Sequence, residues 1–171
     1  MKFYLVITLS LVACQSTQST AQQVVKPVII TDTVRHDTDD PAIWINPADH
    51  AKSLIIGTDK DQDGGLYVFD LNGKIVKEVH DLKRPNNVDI AYSLKLAGKP
   101  TDIAVTTERF THKLRIFSLP DMQPIDKGGL DMFVGDTTSG FRDLMGIALY
   151  KAPSGILYAM VGRKTGPTTG S

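Results

Sequence analysis

Three cations stand in similar company in this sequence. Lys60 closes "IIGTDK" (Ile55 to Lys60), Arg109 closes "AVTTER" (Ala104 to Arg109) and Lys164 closes "MVGRK" (Met160 to Lys164). Each follows an apolar run and then small or hydroxyl residues. Upstream of each lies a polar lead-in to a further apolar stretch: "DDPAIWI" with Asp39 and Asp40, "NNVDIAY" with Asn86, Asn87 and Asp89, and "RDLMGIALY" with Asp143. Arg grips phosphate oxygens bidentately and Lys acts on them as a point charge. Carboxylate and amide oxygens are hard ligands that suit Ca²⁺, which accepts them in flexible geometry. Together these types point to a polyanionic ligand and an oxygen-loving cation. Asp and Pro also favour turns, so Asp39-Asp40-Pro41 alone reads equally as the entry to a strand.

Other motifs carry less. In "DKDQDGGLYVFD", Asp59, Asp61, Asp63 and Gly64 match the opening of an EF-hand loop, with Asp70 where Glu normally stands. Both flanks read as strands, which leaves a calcium-binding loop between strands or a solvated acidic tip. The four histidines are scattered, and no His/Cys pair has zinc-ligand spacing. "VRHD" sets Arg35 beside His36, but Asp37 replaces the glycine of the histidine-phosphatase motif and no second arginine follows closely. There is no Gly-x-Ser-x-Gly elbow and no P-loop.

The elements that must position these groups are strands. "SLIIGT", "GLYVFDL", "GKIVKEV", "TDIAVTT", "KLRIFSL", "GIALY" and "ILYAMVG" are short, β-branched or aromatic, and bounded by Gly, Asp, Asn or Pro. Asn72-Gly73 is a strong hairpin signal. The chain is all-β. Its cation-bearing segments recur at roughly fifty residues with about four strands per unit, the pattern of propeller blades rather than of a sandwich. Propellers close with roughly four to eight blades, and this chain has room for about three, so the ring is expected to be incomplete.

The N-terminus reads as a targeting segment. Lys2 precedes the apolar run Phe3 to Ala13, which is too short to span a bilayer. "LVAC" resembles a bacterial lipobox, which makes residues 1–13 a signal peptide and Cys14 an acylated first residue. Cys14 is the only cysteine, so no internal disulfide forms. "QSTQSTAQQ" is polar and repetitive, and residues 14–26 read as a flexible tether. The expectation is an exported protein, lipid-anchored at a bacterial outer membrane or cell surface. The remaining span, 27–171, is the globular part. Its 19 basic and 19 acidic residues sum to zero net charge, which argues against a general nucleic-acid binder.

"DDPAIWINP", "GLYVFDLNGK", "NNVDI" and "LYAMVGRKTG" closely resemble the N-terminal half of the β-propeller phytases, the alkaline, calcium-dependent phytases of bacteria. The resemblance runs from about Asp32 to Gly166. It implies a six-bladed propeller and hydrolysis of phytate, inositol hexakisphosphate, at a calcium-lined cleft near the axis without a covalent nucleophile. It also implies that Asp39 and Asp40 are calcium ligands at that cleft and that Lys60 and Arg109 bind phosphate, with Lys164 a further substrate-binding lysine. Asn87 and Asp89 fall in a motif associated with calcium held in the scaffold. Three departures stand out: Met145-Gly146 where many members have Tyr-Gly, the acidic "DQDGG" enlarging the loop after Lys60, and the absence of the second half of the ring. The functional expectation is a calcium-dependent phytase represented by its N-terminal portion and inactive alone. The alternative is a non-catalytic module that binds calcium, phosphate or a protein at the cell surface.

Overall fold

The computed structural model describes residues 25–167. Cys14, the signal segment 1–13 and nearly all of the tether 14–26 lie outside those residues. Among the described residues there are ten strands, one short 3₁₀ turn at His50–Lys52, and no helix long and apolar enough to cross a membrane.

Strands β1 (Thr38–Trp44), β2 (Leu54–Asp59), β3 (Gly64–Phe69) and β4 (Ile75–Leu82) form one antiparallel sheet in sequence order. β5 (Pro85–Leu96), β6 (Lys99–Glu108), β7 (Lys113–Leu119) and β8 (Leu130–Asp131) form a second. β9 (Leu144–Lys151) pairs with β10 (Leu157–Arg163) in a third sheet. β5 packs against β1 and β2 on one side and β9 on the other, so β1, β5 and β9 are the inner strands of successive blades. The fold is a partial β-propeller: two whole blades and two strands of a third.

Alternation along the strands builds the seams between blades. In β3, Leu66 and Val68 point to the second blade, while Tyr67 and Phe69 point the other way and meet Val34. The first seam packs Trp44, Ile56, Leu82, Val88 and Phe117 against one another, all nearly inaccessible. The second packs Ala91, Ile103, Val105, Leu114 and Leu144. Burying each such aliphatic or aromatic side chain contributes on the order of 1.5–3 kcal/mol. A polar bolt crosses the first seam, where the Trp44 indole N–H donates to Asp102 Oδ2 at 2.9 Å.

The hairpin joining β3 to β4 turns at Asn72-Gly73, as the sequence predicts. Asp70 Oδ1 accepts the N–H groups of Asn72 and Lys74, and Gly73 sits at φ +79°. Glycine is needed there twice over, because a Cβ would also lie 2.9 Å from Thr31 Cα in the segment that crosses this turn. Asp32 pins that segment, its Oδ2 accepting the Ile75 N–H at 3.1 Å and its Oδ1 pairing with Lys74 Nζ at 2.8 Å.

Candidate functional site

The three sheets share one register at the end where the cations emerge. Thr38 pairs with Asp59 and Pro41 with Gly57; Pro85 pairs with Glu108 and Val88 with Thr106; Leu144 pairs with Arg163 and Ile147 with Val161. Between these pairs the inner strand advances by three residues and its neighbour by two, and each sheet shows a register shift there. Each inner strand therefore carries a β-bulge of two residues opposite one. The bulged residues are Asp39-Asp40 facing Thr58, Asn86-Asn87 facing Thr107, and Met145-Gly146 facing Gly162. A bulge bends its strand and re-aims the side chains on it, and bulges are common beside functional sites.

Lys60, Arg109 and Lys164 each stand one residue past a strand and make the same backbone contact. Their N–H groups donate to the carbonyls of Asp37, Arg84 and Asp143 at 2.7, 3.1 and 2.8 Å. This places Asp143 in line with Asp37, whereas the sequence reading set it with the Asp39-Asp40 lead-in. Its carboxylate lies 3.5 Å from His112 Nε2.

The three cations meet different surroundings. Lys60 Nζ pairs with Asp39 Oδ1 at 2.6 Å and approaches Asp37 Oδ2 at 3.9 Å. Arg109 is only 5% exposed; its Nε donates to the Leu144 carbonyl at 3.1 Å and its terminal nitrogen lies against the Met145 sulfur. Burial lowers the Arg109 pKa and the nearby Arg84 lowers it further, while Asp143 and Asp39 oppose them. The guanidinium remains a cation. Lys164 is exposed.

The oxygen-bearing residues divide in the same way. Asp39 faces Lys60. Asp40 Oδ2 accepts the Val88 N–H of the next inner strand at 3.0 Å, and Asp89 Oδ2 accepts the Leu149 N–H of β9 at 2.7 Å. Both carboxylates thus stitch one blade to the next. Asn87 lies half-buried on its bulge. Asn86 Oδ1 is buried with no hydrogen-bond partner among the described residues. A small cavity of about 230 Å³ opens beside Asp39 and Asp40 over Ile55, Gly57 and Phe69.

The acidic loop after β2 does not gather its carboxylates. Asp59 is buried; its Oδ1 accepts the Asp37 N–H at 2.7 Å and its Oδ2 faces His36 Nδ1 at 2.9 Å. Asp61 Oδ1 accepts the Asp63 N–H within the loop, and Asp63 pairs with Arg35 at 3.2 Å. Among the described residues no three His, Cys, Asp or Glu side chains converge as a metal cluster. Donor chemistry on the bulges nonetheless fits calcium: Asp39, Asp40 and the partnerless Asn86 Oδ1 present oxygen alone.

Sequence reasoning missed Thr58 and Thr107, whose hydroxyls lie fully buried opposite the bulges. Each precedes its cation by two residues, and that repeated spacing was the available signal.

Two comparisons place this arrangement among known proteins. The chain matches the family model described as Phytase over residues 2–169. It is also 32% identical over 134 residues to the 3-phytase of Bacillus subtilis (strain 168), an overlap of 75% of this chain and 33% of that protein. The chain therefore spans about a third of that relative's length. A propeller rim with matched cations behind matched bulges, and a family match across nearly the whole sequence, make this chain a member of the phytase family.

Proposed function

We propose that this chain carries part of the active site of a calcium-dependent phosphomonoester hydrolase that acts on phytate. The observation that supports it most is the recurrence of Lys60 and Arg109 at one register position, each directly behind a bulge that bears oxygen donors. In this reading Arg109 holds a phosphate by its remaining N–H groups, prepositioned by the Leu144 carbonyl. Lys60 adds a positive charge, and its ion pair with Asp39 keeps that carboxylate on the rim. Asp39, Asp40 and Asn86 would hold calcium together with donors from blades beyond those described, with Asn87 and Asp89 serving the scaffold. When bound, calcium supplies positive charge at the phosphoryl oxygens. Lys164, the exposed cation of the three, would touch a second phosphate group of the same substrate.

The test is inorganic phosphate release from phytate by the native protein, with calcium and after chelation. Release should vanish on chelation, and Arg109→Ala should lower it by about a hundredfold, the scale of one lost charge-stabilising donor. Release unaffected by chelation would sink the reading. The alternative reading is a non-catalytic module that binds calcium, phosphate or a protein. Tight binding of calcium and inorganic phosphate without turnover would decide for it. Export and lipid anchoring at Cys14 belong to the same proposal. Intact mass of the mature protein should show an acylated Cys14, and an unmodified thiol would remove that part.

A further inference from the structure

A bulge leaves one inner-strand N–H without its ladder partner, and in two blades the same side chain takes it up. Thr58 Oγ1 accepts the Asp40 N–H at 3.0 Å and donates to the Asn86 carbonyl of the next blade at 2.9 Å. Thr107 Oγ1 accepts the Asn87 N–H at 3.2 Å and donates to the Met145 carbonyl of the third blade at 2.8 Å. Both residues are fully buried. One hydroxyl thereby joins three strands: its own, the bulged strand of its blade, and the bulged strand of the next. The β-branch leaves few rotamers, so the direction of each bond is fixed.

We propose that Thr58 and Thr107 are positioning residues that set the stagger of successive bulges, and with it the spacing of Lys60, Arg109, Asp39, Asp40 and Asn86 on the rim. The inference rests on reading that rim as a calcium and phosphate site. Among the described residues no other contact ties a bulge N–H to the adjacent bulge carbonyl through a single atom. The third blade supplies an internal comparison. Gly162 occupies the threonine position there, and a Cβ on it would lie 3.4 Å from the Gly146 nitrogen, on the side where the other two blades place a hydroxyl. That blade has the slot without the clasp, and its cation, Lys164, is the exposed one.

The experiment compares Thr58→Val, Thr58→Ser, Thr107→Val and Thr107→Ser in the full 171-residue chain. Hydrogen exchange is read at the Asp40 and Asn87 amides, and calcium and inorganic phosphate affinities by calorimetry. Valine should speed exchange at the amide it faces and weaken binding, each by about tenfold, the scale of one buried group left unpaired. Serine should restore both. Valine variants that only melt earlier, with calcium and phosphate bound as tightly as in the parent, would reduce the threonines to structural residues and overturn the proposal. A parent that binds neither ion leaves exchange to judge the clasp, since the functional reading draws part of its calcium donors from further blades. In that case unchanged protection in the valine variants refutes it, and faster exchange at those two amides, reversed by serine, upholds it.

Discussion

Lys60 and Arg109 hold one register position in two blades, yet removing them should have unequal consequences. Lys60 makes ion pairs at a partly solvated rim, and such pairs contribute about 1 kcal/mol or less. Arg109 is buried, and its loss strands the Leu144 carbonyl and opens space beside Met145. Arg109→Ala should therefore cost about 2 kcal/mol in urea unfolding, with Lys60→Ala near neutral. Asp126 gives a second residue-level expectation. Burial raises its pKa, but hydrogen bonds from Arg115 and the Ile116 and Gly128 amides outweigh burial, and the net shift is downward. A depressed folded pKa means stabilisation that is present above the unfolded value, about 3.9, and is lost as pH falls through the folded value. Asp126→Asn should cost about 3 kcal/mol at neutral pH, with the gap to the parent closing below about pH 4 in melting curves. The cations were legible in the sequence because they repeat. Their partners were not, since Asp39, Leu144 and Met145 reach them only through folding.

At the scale of the element, the bulge explains why paired carboxylates run straight into a strand. Asp39 and Asp40 share the space opposite one residue, so Asp39 can face Lys60 on the rim while Asp40 reaches the Val88 N–H of the next blade. The strands themselves and the Asn72-Gly73 hairpin followed from composition and spacing. A bulge is one residue of mismatch between two strands, and only their pairing shows it. The start of β3 offers a sharp test. A Cβ on Gly65 would fall 2.2 Å from the Val79 carbonyl oxygen across the β3–β4 pair, so Gly65→Ala must part the strands. It should destabilise by about 3 kcal/mol. Gly146 on the third bulge has nothing within 4 Å of such an atom, and Gly146→Ala should leave the melting temperature almost unchanged. Equal losses from both would contradict the register given above.

For the whole molecule, stability resides in the seams, as in any array whose units bury their faces against neighbours. The described third blade presents an outward face with Tyr150, Tyr158 and Met160 each about half exposed, at 52%, 50% and 52%. Such a face favours association. The chain should self-associate with rising concentration in sedimentation velocity, and Tyr158→Lys with Met160→Lys should return it to monomer. Concentration-independent sedimentation of the parent would refute this. The period of about fifty residues made the blades readable in advance, but it could not say which faces meet.

The bolt between Trp44 and Asp102 has one more consequence. Trp44 is the only tryptophan in the chain, is 4% exposed, and sits where the first two blades touch. Its fluorescence is thus a built-in optical probe of a single interface, needing no label. A red shift in its emission would report water entering between those blades, and timing that shift against loss of the β-sheet circular dichroism signal would show whether blades part before they melt.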